Sequence, residues 1–526
     1  MRIGFSTIYS WRPHVEHCFF LATLACKAGH ETYFFQCNGD LQCCYNRELK
    51  GGSKWLQCQT CKLGNLGTFT KANITRISDY PPETAHHKDF NRNWVSSSAS
   101  TLGRFESDDD YQSLDFSNIS ERLLDPCFQT YSSARQWIVG KKLDAVCVFN
   151  GRIDHTRAVF EAAKSEGVRV ISIERPWFSR GIQMYPEEHC LGLQTVHRIV
   201  AEYAHRPLSK DQALVAASYA AKRILRMNSD EWRAYNANAI ERQWPLESKG
   251  ARILILPSSR NEIWGHPDWA SAWSEPTAGF DAVLDKLGVS MGQVVLRRHP
   301  NWSERIGKAN GDKIDNYYNQ WAKQRGILTI SGDDKANTLN LIKQADIILL
   351  GNSSAAFEAG VLSKTIVATG PSSYSQAGFA FNIHCKETLD AIPNATELWT
   401  KDSGQKKETA RQALRYVYTM TRRMPQYVNA VVPKTPTQML FDMNAEAARF
   451  IDLLCDGILQ ADDDTYVEDE TGENEVCALM ANHRWSDILK YAQSISLPAT
   501  GLQPLARMPI YKAIGRLREW LPRGDQ

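Results

Sequence analysis

The chain has 526 residues, a formal net charge of +2 and 23% charged residues. That length holds more than one domain with its own core, and the near-neutral balance gives no electrostatic case for nucleic acid as a partner. No apolar run reaches the roughly 20 residues of a membrane span, and the opening MRIGFSTIY has the pattern of a strand rather than of a secretory leader, so the expected location is cytoplasmic.

In chain order, residues 1 to 36 read as strand, loop, helix, strand, which predicts a βαβ unit and a parallel sheet. His14 and His17 fall in the first βα loop or the first helical turn, where they either contact a ligand or serve as a polar helix start. The 13 cysteines are scattered through a long chain, unlike a disulfide framework. Most are expected as reduced thiols, with Cys18, Cys26, Cys147 and Cys385 in apolar or mixed surroundings. Cys58 and Cys61 have the C-x-x-C spacing of a zinc knuckle, and Cys37 with Cys43 or Cys44 would complete four thiolates around a structural zinc. A redox pair or free thiols are the alternatives. From about Leu63 to Arg135 the pattern is weaker, and SSSASTLGRFESDDDYQSLDFS, residues 96 to 117, is polar and turn-rich, which predicts a surface insertion or mobile loop.

Residues 143 to 149 form a buried-type strand that ends in Asn150-Gly151-Arg152. A helical stretch follows, with Asp154 and His155 just ahead of it, and then a strand ending in Glu174-Arg175-Pro176. Residues 208 to 227 have helical composition and 229 to 250 would cross to a second lobe. That lobe begins with the strand 253 to 256 and the turn Pro257-Ser258-Ser259-Arg260, which either faces an interdomain cleft with Ser258, Arg260 and Glu262 or is a plain βα loop.

Two stretches of this lobe stand out. One apolar run, Val294 to Leu296, stops in Arg297-Arg298-His299-Pro300, and another, Ile347 to Leu350, stops in Gly351-Asn352-Ser353-Ser354 before helical spacing resumes. Open α/β sheets bind ligands at the carboxyl ends of their strands. A helix start adds unpaired N–H groups and partial positive charge, so the second stretch predicts an anion seat capped by Ser353 or Ser354, or simply a serine N-cap. The two are expected as neighbouring strand ends, so that Arg297 and His299 converge with the serine hydroxyls on one charged group.

The Arg-x-His-Pro element, the Ser-Ser helix start, Glu358 and the strand in SKTIVATG resemble the second half of bacterial capsule and surface-polysaccharide glycosyltransferases, with more distant likeness to sialyltransferases and Kdo transferases. FNGRIDHTRAVFEAAKSEGVRVISIER resembles the first lobe of the same family. The resemblance implies a GT-B-like α/β fold of two Rossmann-like, doubly wound domains facing a cleft, with a helical C-terminal extension. The expected boundaries are 1–228, 229–432 and 433–526. It also implies that His299, Ser353, Ser354 and Asn352 hold the donor phosphate and that Glu358 reaches the ribose, while His14, His17 and Arg152 face the cleft.

Transfer with inversion needs a base for the acceptor hydroxyl. Glu174 is the first candidate, Asp154 with His155 the reserve and His14 or His17 the third choice, against a structural pairing of Glu174 with Arg152 or Arg175. His299 would also protonate the leaving phosphate. No Asp-x-Asp metal clamp appears in a suggestive position, so no catalytic cofactor is expected. The implied partners are a nucleotide-sugar, CMP-linked in preference to UDP-linked, and a glycan or lipid-linked glycan acceptor. A CDP-polyol phosphotransferase, a nucleotide-sugar epimerase and a non-catalytic scaffold are the rivals. Residues 408 to 423 would be a helix crossing back to the first domain, DDDTYVEDETGENE a solvated linker, and PIYKAIGRLREWLPRG a basic amphipathic helix that rests on a membrane surface or packs on its own protein.

Overall fold

The computed structural model describes the chain except residues 82–87, 179, 229–230, 232–237, 248–249, 307–308, 401, 464, 496–500, 512 and 514–526. Of the expected C-terminal basic helix, 509–524, only residues 509–511 and 513 are among the described residues, where they are helical.

The first lobe is built on β1 (Arg2–Ser6), β2 (Glu31–Gln36), β3 (Ile74–Arg76), β4 (Ala145–Phe149), β5 (Arg169–Glu174) and β6 (Ile182–Pro186). Their order in the sheet is 3-2-1-4-5-6, parallel up to β5, with β6 antiparallel at the side of β5. β4 is buried at all five positions, as a central parallel strand must be with helices on both faces.

The second lobe is built on β7 (Ile253–Leu256), β8 (Val294–Arg297), β11 (Leu328–Ile330), β12 (Ile347–Leu350), β13 (Thr365–Ala368) and β14 (Phe381–Asn382); β9 (Arg305–Ile306) and β10 (Ala309–Asn310) form a small separate hairpin. Its order is β11-β8-β7-β12-β13-β14, all parallel. Counted within the lobe this is again 3-2-1-4-5-6, the order that puts a ligand crevice where the winding reverses. The expected GT-B-like architecture of two doubly wound lobes follows from these two sheets.

The lobes share a core. One apolar cluster runs from Phe5 and Phe20 in the first lobe to Leu256, Leu350 and Phe357 in the second. The helix Ser403–Tyr418 packs on Ala355–Val361 of the second lobe and on Lys210–Ile224 of the first, and a π-type turn, Thr419–Arg423, leads from it to β15 (Pro425–Gln426), which pairs with β6. The chain thus crosses back to the first sheet. The hairpin β16 (Val431–Thr435) and β17 (Gln438–Asp442) follows, joined by β18 (Leu502–Gln503). The helices Ala447–Asp456, Thr471–Ala481 and Trp485–Ile495 then pack against the first lobe.

Three expectations need correction. Most of 63 to 135 is ordered structure, not a mobile loop: the helices Ser96–Gly103 and Asp108–Gln112 precede a 28-residue helix, Leu114–Lys141. The long helix buries Leu123, Leu124, Cys127, Phe128, Tyr131, Ala134, Trp137 and Ile138, a three-and-four spacing that outweighs the polar residues beside it. The acidic stretch is not wholly solvated, because Glu473 is fully buried and paired with Arg415 at 2.7 Å. Among the cysteines, Cys26 is exposed while Cys18 and Cys147 are buried, and all 13 are free thiols.

Candidate functional site

The two stretches singled out by sequence meet around one cavity of about 540 Å³ at the carboxyl ends of the second lobe's strands. Arg297, His299, Ser353, Ser354 and Glu358 all line it. Strands β8 and β12 are not neighbours, because β7 lies between them, and its Leu256 and Pro257 form the cavity floor between the two loops. Ser258 and Asn352 bond each other at the point where the winding reverses and are not among the residues lining the cavity: the Asn352 amide donates to Ser258 Oγ at 3.0 Å. A Cβ at Gly351 would lie 3.1 Å from that hydroxyl, so the small residue lets the two turns approach.

Each predicted residue takes a distinct place. His299 caps the short helical turn Pro300–Ser303, its Nδ1 lying 3.2 Å from the Asn301 amide and 2.8 Å from Asn301 Oδ1. Arg297 is 4% exposed, and its guanidinium donates to the carbonyls of Ser331, Asp334 and Ala336. It anchors the loop that walls the cavity, while burial lowers its pKa. Ser353 Oγ accepts the Ala355 amide at 3.3 Å, whereas Ser354, the N-cap residue by position, makes no side-chain cap and is exposed. Glu358 is tied across the lobes to Arg223 at 2.9 Å. The same guanidinium meets Glu231 at 2.9 Å and lies over Phe178 and Phe357. Arg223 and Glu231 line the cavity too. Sequence reading missed both, since nothing local marks a residue whose partner is 135 positions away.

A second group of predicted residues lies at the corresponding edge of the first lobe. Asn150 adopts φ 65° at the end of β4, and its amide donates to Glu174 Oε2 at 2.8 Å. The Arg175 backbone amide donates to Glu174 Oε1 at 2.9 Å. Burial raises the Glu174 pKa against these hydrogen bonds. His14 Nε2 is 3.4 Å from Glu174 Oε1, and the imidazole stacks on Phe149 with centroids 4.1 Å apart. Burial, helped by the charge of Arg175, pushes the His14 pKa well down, so the ring is neutral. His17 is fully buried, its ring nitrogens have no hydrogen-bond partner among the described residues, and it faces Phe441 of β17. The β16–β17 hairpin covers this edge, with Arg175 Nη1 donating to the Pro436 carbonyl at 2.8 Å.

Asp154 and Arg152 stand elsewhere. Asp154 is fully buried, accepting from Tyr9 OH and from the Tyr45 amide at 2.9 Å, with His155 beside it bonded to Thr130 and to the Cys43 carbonyl. This network holds the cysteine-rich segment onto the first lobe. Arg152 reaches Ser97 and Thr101 and crosses to the Glu262 carbonyl at 3.2 Å. Arg260 likewise belongs to the lobe contact, its backbone amide donating to Glu106 and its guanidinium pairing with Asp108 at 2.7 Å. Cys58 and Cys61 both lie on the helix Lys54–Lys62; the Arg47 guanidinium approaches Cys58 Sγ at 3.7 Å, and the Gly39 amide donates to Cys37 Sγ at 3.2 Å. Burial pushes the Cys37 thiol up to about 11 and Cys43 up to about 12. Among the described residues no group of three or more His, Cys, Asp or Glu is arranged to hold a metal ion.

No family model matches the chain, and no curated protein matches its sequence. Similar solved structures include the beta Kdo 2,7 transferase of Thermosulfurimonas dismutans KpsC (11% identity over 67% of this chain and 90% of that one, TM-score 0.33). A trehalose-6-phosphate structure from E. coli bound with UDP-2-fluoro glucose covers 88% of this chain and 100% of its own at 10% identity and TM-score 0.34. UDP-GlcNAc 2-epimerase from Methanocaldococcus jannaschii, in complex with UDP-GlcNAc and UDP, covers 76% and 94% at 13% identity and TM-score 0.29. The fold class stands on the strand orders of the two sheets, not on these scores.

Proposed function

We propose that the chain is a nucleotide-sugar-dependent glycosyltransferase that extends a bacterial surface glycan. The observation that carries this reading is the second-lobe cavity at a topological switch point, lined by His299 with Ser353 and Ser354. In it the donor phosphate accepts from the His299 ring, from the serine hydroxyls and from amides at the start of the helix Ala355–Val361. These donors stabilise charge as the phosphate departs. His299 also supplies a proton to the leaving oxygen, so no metal clamp is assigned to the step.

Glu174 accepts the proton of the acceptor hydroxyl. Its raised pKa makes it a stronger base than an ordinary carboxylate, and Asn150 fixes which oxygen is presented. Neutral His14, stacked on Phe149, holds the other oxygen. The acceptor is a glycan or lipid-linked glycan, and the donor nucleotide is CMP- or UDP-linked, the former preferred.

The test is calorimetric binding of CMP, CDP, UDP and GDP, followed by product analysis with the nucleotide-sugar that binds. A glycosidic product that needs acceptor is expected. Donor turnover without acceptor replaces the reading with an epimerase, a phosphodiester product replaces it with a polyol-phosphate transferase, and absence of nucleotide binding leaves a scaffold.

A further inference from the structure

Among the described residues no helix is long and apolar enough to cross a membrane, yet the first lobe carries a surface made for one. The helix Lys54–Lys62 has no buried residue, and its first turn presents Trp55 at 71% and Leu56 at 55% exposure, with Leu63 exposed just beyond its end. Large apolar side chains grouped on one element at this exposure mark an interaction surface. Lys54 and Lys62 flank these side chains on the same helix, and between Glu48 and Asp79 the sequence holds five cationic residues, Lys50, Lys54, Lys62, Lys71 and Arg76, and no Asp or Glu. Trp and Leu flanked by lysines is the composition of a segment seated at the headgroup level of an anionic bilayer.

Two contacts place this surface in the molecule. The loop after the helix packs on the segment that leads to His14, with Arg12 Nη2 donating to the Gly64 carbonyl at 3.2 Å. The chain's final described stretch arrives at the same place, the Met508 amide donating to the Thr68 carbonyl at 3.0 Å and Arg507 lying over the Phe69 ring. Ile510 there is 67% exposed, and the sequence continues into Lys512, Arg516 and Arg518. The described end of the chain, Arg507 and Met508, thus lies against Thr68 and Phe69, just past the helix.

We infer that the face formed by Trp55, Leu56, Leu63 and the lysines around them docks the protein on an anionic lipid bilayer. The inference stands on this surface alone and does not depend on the reaction assigned above.

Flotation of the full-length protein with vesicles of phosphatidylcholine alone, or of an equimolar mixture with phosphatidylglycerol, tests it. The protein is expected to float with the anionic vesicles, less so at high salt. Combining Trp55→Glu with Leu56→Ser should weaken partitioning roughly tenfold or more, because it removes the apolar insertion and adds a like-charged group against the lipid. Both positions are exposed, so the melting temperature and nucleotide binding should hold, which separates lost docking from a lost fold. Lys54→Glu should give a smaller loss, restored by lowering the salt. Failure of the wild type to float overturns the inference. So does equal binding to neutral vesicles, wild-type binding by the double variant, or self-association of the wild type that the double variant abolishes.

Discussion

The two lobes wind their sheets in the same order and treat the same edge in opposite ways. In the second lobe the strand ends open on a cavity, and the side chains that could have closed it are drawn aside: Arg297 to three carbonyls, Glu358 to Arg223. In the first lobe a hairpin from the far end of the chain lies over the strand ends, and His14, His17 and Glu174 sit beneath or beside it. Topology alone thus fixes where a ligand crevice is available, and the loops decide whether it is filled with solvent or with protein. A small ligand with an anionic tail suits the open edge; a hydroxyl to be activated suits the drier one, where burial raises a carboxylate's affinity for a proton.

The sharpest break in that comparison comes from one substitution at each edge. His299→Ala should reduce transfer by about two to four orders of magnitude, the usual range for a positioned proton donor, with the melting temperature nearly unchanged because the ring is only partly buried. Glu174→Gln should reduce kcat by a similar factor. The pH profiles tell them apart. The Glu174 carboxyl titrates above the ordinary range, so wild-type turnover should rise with pH until that group is ionised; Glu174→Gln removes the rising limb, and His299→Ala lowers the plateau and leaves the limb in place. A rising limb that survives in Glu174→Gln assigns the base to another residue.

Arg297→Ala acts through structure rather than contact. It strips three loop carbonyls of their donor, and the loss is expected at about 2–4 kcal/mol of stability, in the range for breaking a buried network. Nucleotide affinity should fall as a consequence, and chemical denaturation measured with and without nucleotide separates the two effects.

Glu106 tests the joint between the lobes. It is fully buried, receives the Arg260 amide and the Tyr318 hydroxyl at 2.9 Å, and burial pushes its pKa up to about 8. The folded state therefore holds a proton that the unfolded chain has released above the ordinary carboxylate range. Stability should fall as pH rises from that range toward 8, by at most about 1.4 kcal/mol per pH unit, and level off above it. Glu106→Gln should flatten this slope, read as melting temperature against pH; an unchanged slope places the titrating group elsewhere.

What could be read from the sequence was local. An apolar run of three or four residues stopping in RRHP or GNSS announces a parallel strand and its loop, and both loops do border one cavity. That the strand 253 to 256 lies between them could not be seen, because sheet order is not written in any one segment. Partnerships failed for the same reason. Arg297 looked like a phosphate ligand because its three acceptors are 34 to 39 residues away, and Asp154 looked like a reserve base because Tyr9 and Tyr45, which enclose it, come from another part of the chain. The Leu114–Lys141 helix is a different kind of miss. Its apolar period was present, but the serines and aspartates ahead of it suggested a loop, and burial of one face settles a helix more strongly than its polar flank unsettles it.

The smallest expected effect separates two adjacent hydroxyls. Ser353 already accepts the Ala355 amide, so Ser353→Ala costs a helix-start hydrogen bond, about 1 kcal/mol of stability at most, together with any contact to phosphate. Ser354 is exposed and makes no cap, so Ser354→Ala should leave the melting temperature within error and weaken nucleotide binding several-fold, as expected for one hydrogen bond to a charged group. Calorimetry with CMP and UDP reads the second change and a thermal melt the first. If Ser354→Ala alters neither, the anion rests on Ser353, His299 and backbone amides, and Ser354 is only the residue where the helix begins.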